Sequence, residues 1–489
     1  MDEQLTIRTI KNIGYNSFAK IATYLLRIGA SIIVAQNLTA SDYGVIGFAM
    51  VIIGFLASFN ELGIDDAAVQ RSEIDQKSLY TGFVLKSILG SALFVLCTIL
   101  APISKHFFDH PDIGLVINLL ALNFLINSFT FLPNVILTRG LEYNKLSISA
   151  IISAAIRSVV VIVLVLNNYK YWSIVWGEIA ATIINALTLN WFCHVRPKFK
   201  FDKAVAFELL AFGSKIFVSG ALIFIVLNAD NFIIGSVGGA RNLGFYAIAF
   251  TWGTIACTVL EDTVHSVLFP TFARIQKNIA GLKQAYLKVL EYVSMFGILV
   301  NLNLIGNSRE ILFFILGRGT DKWIPAITAF EILCVYAIIK IILVPVGNVV
   351  MSLGKPEILI KANFLAAMIE IGLLYPAVKY GGINAVAVLV TIAYASQYII
   401  YVSFLNNECG IRLMEIIDII KIPILSGITI AIIGIIIGRQ IEFSVKGMMI
   451  KLLYYTIAYL ALYGMLTKWR MFHEVRNIAG LIVEKEKVF

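Results

Sequence analysis

At 489 residues, 59% of them hydrophobic and 14% charged, with a mean hydropathy of +0.86, the chain is too apolar to be a soluble protein of its length. Apolar runs long enough to cross a bilayer recur from end to end, which leaves no room for a sizeable soluble domain and predicts an all-α polytopic membrane protein. The net charge of +9 fits Lys and Arg retained in cytoplasmic loops rather than nucleic-acid binding, and five cysteines without CxxC or Cys/His spacing exclude a zinc or disulfide framework.

Residues 1–12 mix both charge signs, and the first span is too long and too charged for a signal-peptide core, so it is expected to stay as a helix. Within it Asn16, Lys20, Thr23, Arg27 and Ser31 recur at intervals of three and four and share one face. Phe18, Ile21, Leu25, Ile28 and Ile32 lie mostly on the other. A cation at mid-bilayer costs roughly 2.5–3.5 kcal/mol on the insertion scale, so such residues face a wet cavity or a partner.

Fourteen spans are predicted, over residues 14–37, 43–60, 79–103, 114–137, 146–167, 171–193, 210–236, 244–269, 286–306, 325–352, 358–378, 383–405, 417–438 and 448–467. After the ninth, Ile311 to Leu316 is either an extension or a re-entrant piece. Twenty Lys and Arg fall on the side of the N-terminus against nine on the other, which places both termini in the cytoplasm. Arg309, Arg318 and Lys322 violate that pattern locally.

The chain repeats itself at an offset of about 200–212 residues. Gln36-Asn37-Leu38-Thr39-Ala40-Ser41-Asp42-Tyr43-Gly44 stands against Ser236-Val237-Gly238-Gly239-Ala240-Arg241-Asn242-Leu243-Gly244, each read as a short outer loop ending in Gly at the mouth of a helix. Leu132-Pro133 mirrors Val344-Pro345, and Arg157 falls beside Glu370. Six helices per copy give a parallel repeat, the plan of alternating-access transporters with substrate between the lobes. The expected divisions are an N-lobe over 1–193, a cytoplasmic linker 194–209, a C-lobe over 210–405, two further helices in 406–467 and a cytoplasmic tail 468–489. Pro133 and Pro345 lie inside helices, where they bend the chain and serve as candidate hinges.

The first lobe contributes Lys20, Arg27, Lys86 and Arg157 against Glu178. Arg27 and Arg157 are too deep to reach the interface easily; for Lys20, Lys86 and Lys215, snorkelling and cavity lining both stay open. The second lobe is richer in acids. Asp230, Asp262, Glu331 and Glu370 are candidates to carry a coupling H⁺ or Na⁺, although Glu370 and Lys340 also read as a neutral pair. A basic first lobe suits an anionic substrate, phosphate above all. No GxxxxGK[ST], HExxH or Ser/His/Asp pattern occurs, so no enzyme, bound cofactor or metal is expected.

The stretch Leu38-Thr39-Ala40-Ser41-Asp42-Tyr43-Gly44, continuing through Phe59-Asn60-Glu61-Leu62-Gly63 and Ala67-Ala68-Val69-Gln70-Arg71, resembles the bacterial polysaccharide transporter family of the multidrug/oligosaccharidyl-lipid/polysaccharide exporter superfamily. Asp230-Asn231-Phe232-Ile233-Ile234-Gly235 looks like that family's entry into the second lobe, and Phe269-Pro270-Thr271-Phe272-Ala273-Arg274 like its loop after helix eight. The resemblance implies a flippase of the bacterial cytoplasmic membrane. It would move an oligosaccharide on undecaprenyl pyrophosphate to the outer leaflet, as a monomer, alongside glycan-assembly proteins such as a polymerase. A lipid II flippase, a drug/cation antiporter and a non-transporting scaffold are the competing readings.

Overall fold

The computed structural model describes residues 3–61, 63–70, 75–193, 195, 197–438 and 440–470. Within these, side chains are described except at 3–13, 16, 17, 61, 66, 212–223, 226, 262, 263 and 266. Every secondary-structure element among them is helical. In hydrocarbon each backbone N–H and C=O must find its partner inside the segment, and helices meet that demand locally.

The chain divides into two compact units, Met1–Ala247 and Ile248–Phe489. The first holds α1 (Glu3–Asn37), α2 (Ala40–Glu61), α3 (Ile64–Gln70), α4 (Gln76–Phe107), α5 (Ile113–Ser128), α6 (Phe131–Arg139), α7 (Tyr143–Leu166), α8 (Trp172–Cys193), α9 (Lys203–Ile233) and the start of α10 (Gly239–Ile275). α7 lies between α1 and α8, while α4 packs on α5. Ile64, Phe83, Phe131, Leu132 and Val135 form a core where α3, α4 and α6 meet.

The second unit holds the rest of α10, α11 (Ile279–Gly306), the single turn α12 (Ser308–Glu310), α13 (Ile327–Ser352), α14 (Glu357–Cys409), α15 (Leu413–Gly438) and α16 (Val445–Leu466). α13 sits between α11 and α14, with Phe330, Leu333 and Val349 fully buried. α15 and α16 pack on α11 through Met295, Ile298, Ile430 and Tyr459.

Helix starts are set by short polar side chains that satisfy free amides. Asp75 accepts from the Ser78 amide (2.8 Å), Asn278 from Gly281 (3.0 Å) and Ser444 from Gly447 (3.0 Å). Asp202 caps α9 through Ala204 and Val205 (2.9 and 3.0 Å) and meets Lys77 at 2.6 Å. The Lys77 ammonium, with those amides, holds the Asp202 carboxyl below the usual carboxylate range.

Eleven helices among the described residues are long and apolar enough to cross a membrane, or twelve when α5 and α6, bent by 48°, count as one span. The sequence predicts fourteen, and the difference lies at two helical connections. Expected spans 210–236 and 244–269 fall in α9 and α10, joined by a π-helical turn, Ile234–Gly238. Spans 358–378 and 383–405 both fall within α14, which breaks at Gly382 (φ 61°, ψ −155°), a conformation open to glycine. Ile311–Leu316 is a π-helical turn that leads through a 3-10 turn, Asp321–Ala326, into α13. Of the five cysteines, all free, four are buried and Cys193 is partly so.

The repeated motif does more than end a loop. Thr39 and Asp42 form a capping box at the start of α2: the Thr39 amide donates to Asp42 Oδ2 (2.9 Å) and the Asp42 amide to Thr39 Oγ1 (3.2 Å). Ala40 and Gly44 then share a face one turn apart, as do Ala240 and Gly244 at the start of α10, and the two faces meet reciprocally. A Cβ on Gly44 would stand 1.8 Å from the Ala240 carbonyl oxygen, and one on Gly244 1.7 Å from that of Ala40. Small residues four apart let the two backbones come this close.

Candidate functional site

α1 carries three faces. Ala19 and Ala30 are buried, and α7 packs against the helix, its Ser158 hydroxyl donating to the Leu26 carbonyl (3.3 Å). Phe18, Ile21 and Leu25 form an exposed apolar row. Lys20 and Arg27, seven residues apart on a 3.6-residue helix, lie on the flank roughly opposite Phe18 and Leu25 and are also exposed. Among the described residues neither Lys20 nor Arg27 has an ion-pair partner. The Thr23 hydroxyl bonds back to the Lys20 carbonyl (2.8 Å), and Ser31 shares a hydrogen bond with Tyr43, close to Arg157. The Asn16 side chain lies outside the described residues.

The other two first-lobe cations arrive neutralised. Arg157 reaches Glu178 Oε1 of α8 with both Nε (2.7 Å) and Nη2 (2.6 Å). Lys86, 5% exposed, meets Asp65 Oδ2 of α3 at 2.5 Å. Lys86 therefore points into protein and does not snorkel. Arg157 and Arg27 stand at one level, since Ser158 bonds the residue before Arg27. The Lys215 side chain is outside the described residues.

Asp230, 3% exposed in α9, accepts from the Tyr246 hydroxyl (2.7 Å), the Asn231 amide (2.7 Å) and Asn231 Nδ2 (3.2 Å). Glu370 is buried in α14. Lys340 pairs with Glu261 of α10 (2.8 Å). Glu331 of α13 accepts from the Ser308 hydroxyl (2.6 Å). The Asp262 side chain lies outside the described residues. No three His, Cys, Asp or Glu side chains among the described residues converge as metal ligands do.

Two further ion pairs, one of them buried, carry no local sequence signal. Glu310 of α12, 3% exposed, meets Lys451 of α16 at 2.5 Å across 141 positions. Glu291 of α11 receives both the Arg470 guanidinium (2.6 Å) and the Tyr463 hydroxyl (3.0 Å).

Pro133 is the third residue of α6 and has no N–H for the Phe129 carbonyl four residues back. Asn190 Nδ2 of α8 donates to that carbonyl instead (2.9 Å), at the 48° bend. Pro345 sits within the uninterrupted α13.

Known proteins resemble this chain in sequence and in fold. The lipopolysaccharide biosynthesis protein WzxC of Escherichia coli K12 is 23% identical over 402 residues, 80% of this chain and 79% of WzxC. The teichuronic acid biosynthesis protein TuaB of Bacillus subtilis 168 is also 23% identical, over 71% of this chain and 70% of TuaB. Among solved structures, the lipid II flippase MurJ in an inward closed conformation superposes with a TM-score of 0.73 over 93% of this chain and 99% of MurJ, at 14% identity, which shows a common fold. The chain is a multi-span membrane protein. It belongs to the polysaccharide biosynthesis protein family, whose model matches residues 33–328.

Proposed function

We propose that this chain is a flippase that moves an oligosaccharide carried on undecaprenyl pyrophosphate from the cytoplasmic to the outer leaflet of a bacterial cytoplasmic membrane. The observation that carries the reading is the open flank of α1. Of four cations within the first-lobe spans, Lys86 and Arg157 are matched by carboxylates, whereas Lys20 and Arg27 are exposed on a face turned from the apolar row. Two unmatched cations suit a diphosphate, with Arg27 the deeper contact and Arg157, at its level, able to join by releasing Glu178. Lys86 and Lys215 take secondary places.

Alternating access is the proposed cycle, with fourteen spans once α14 counts as two at Gly382 and α9 and α10 count separately. The lobes are 1–193 and 210–405, joined by the linker 194–209 and followed by 406–467 and a cytoplasmic tail 468–489. Both termini are cytoplasmic, the protein acts as a monomer beside a polymerase, and Pro133 and Pro345 are its hinges. An H⁺ or Na⁺ gradient drives it through one of Asp230, Glu331, Glu370 or Asp262. No further cofactor is needed.

A lipid II flippase is the second reading, favoured by the MurJ fold. The family model over 33–328 favours the polysaccharide branch. A drug antiporter would need acids where α1 carries cations.

Charge reversal tests the proposal. Arg27→Glu is expected to lower surface glycan by about tenfold or more, the factor carried by one lost charge-assisted contact. Immunoblotting of surface glycan at matched membrane levels of the protein reads it. Unchanged glycan would support a scaffold role and sink the flippase reading.

A further inference from the structure

α11 and α15 end, and α13 and α16 begin, at one end of the spans, and there the second unit forms a half-open cavity of about 510 Å³. That volume falls in the range of roughly 300–1,000 Å³ usual for small-molecule sites. Its charged walls are of two kinds. Glu310 and Lys451 neutralise each other at 2.5 Å, with side chains 4% and 15% exposed. Glu331 and Arg309 have no such match. The Glu331 carboxylate accepts the Ser308 hydroxyl (2.6 Å), and the exposed Arg309 guanidinium lies over the Phe443 ring, 4.9 Å from its centroid. Among the described residues neither has an ion-pair partner, and they do not pair with each other.

One cavity therefore presents an anion and a cation held apart. A free anion satisfies Arg309 and is repelled by Glu331; a free cation does the reverse. A molecule carrying both charges a few bonds apart satisfies both. The position supplies the rest of the argument. Helix ends are where lipid headgroups lie, and Ile435 of α15 and Phe443 give the cavity an exposed apolar flank on which an acyl chain fits. Arg318 and Lys322, which with Arg309 break the positive-inside pattern, belong to the same end of the spans, between α12 and α13.

We propose that this cavity binds the headgroup of phosphatidylethanolamine from the leaflet at that end, its ammonium on Glu331 and its phosphate on Arg309. The ethanolamine ammonium donates hydrogen bonds to a carboxylate, whereas the methylated nitrogen of phosphatidylcholine cannot. Phosphatidylglycerol brings the phosphate without a cation and leaves Glu331 unanswered.

Native mass spectrometry of the full-length protein in mild detergent, with dioleoyl phosphatidylethanolamine, phosphatidylcholine or phosphatidylglycerol added at equal concentration, tests this without reference to transport. The wild type is expected to retain phosphatidylethanolamine about tenfold better than either competitor. Glu331→Gln should abolish that preference, and Arg309→Gln should weaken both zwitterionic lipids alike. If Glu331→Gln fails to fold, Glu331→Asp, which keeps the charge but withdraws it by one methylene, should narrow the preference. Equal retention of the three lipids by the wild type, a preference for phosphatidylglycerol, or a preference that survives these substitutions at Glu331 overturns the proposal.

Discussion

Lys20 and Arg27 differ from Lys86 and Arg157 in what stands opposite them. The spacing of the α1 stripe was legible because a helix fixes which residues share a face. The partners of Lys86 and Arg157 were not equally so: Glu178 lies within a span and stands out as an opposing charge, while Asp65 lies on a short helix between spans. Glu310 with Lys451 and Glu291 with Arg470 join residues 141 and 179 positions apart, and no local pattern encodes a meeting over that distance. Glycine carries the sharpest prediction at this scale. Gly44→Ala or Gly244→Ala puts a methyl group inside a backbone carbonyl's contact distance, so the loss should reach or exceed the usual overpacking range of about 1–3 kcal/mol. Gly29→Ala, with no heavy atom within 4 Å of the new carbon, should instead stabilise α1 by about 0.5–1 kcal/mol. Thermal melts followed by size-exclusion fluorescence in detergent compare the three. Because both substitutions force the same two helix starts apart, the double variant should lose less than the sum.

At the level of elements, apolar run length located the spans but not the helical form of two of their connections. Residues 234–238 and Gly382 connect helices without a polar loop, and hydropathy has no mark for a π-turn or a single left-handed glycine. The Thr39 to Asp42 stretch resembles a family motif, and its spacing also spells a capping box, a signal present in the sequence itself. Pro133 was legible as a bend; Asn190 as the group that satisfies the freed carbonyl was not. That pairing is testable as a cycle. Asn190→Ala should cost about 1 kcal/mol by stripping the Phe129 carbonyl of its donor. Pro133→Ala restores an amide that can bond the same carbonyl, so in that background Asn190→Ala should cost less. Thermal melts of the four proteins read the coupling, and an equal cost in both backgrounds would disconnect Asn190 from the bend.

For the whole molecule, composition and the recurrence of long apolar runs predict an all-α membrane protein, every element among the described residues is helical, and the motifs point to its family. The compact units divide at Ala247 and Ile248, inside α10, where no composition shift marks a boundary. The prediction at this scale concerns the cargo. Deleting the gene should make lipid-linked oligosaccharide accumulate in the inner leaflet, detectable by its resistance to externally added glycosidase, and re-expression of the wild-type chain should clear it. Accumulation of lipid II instead would move the chain to the other branch. The crossing of α2 and α10 reaches further back than any of these assays. Ala40 and Gly44 serve Ala240 and Gly244 as both knob and socket, the relation found between identical subunits in an isologous dimer. A half-length chain with one copy would be self-complementary at this patch, which is what is expected if duplication joined two subunits that already paired there. The two copies differ in charge, with Gly220 at the place of Lys20 and Leu227 at that of Arg27, while both keep glycine at 44 and 244.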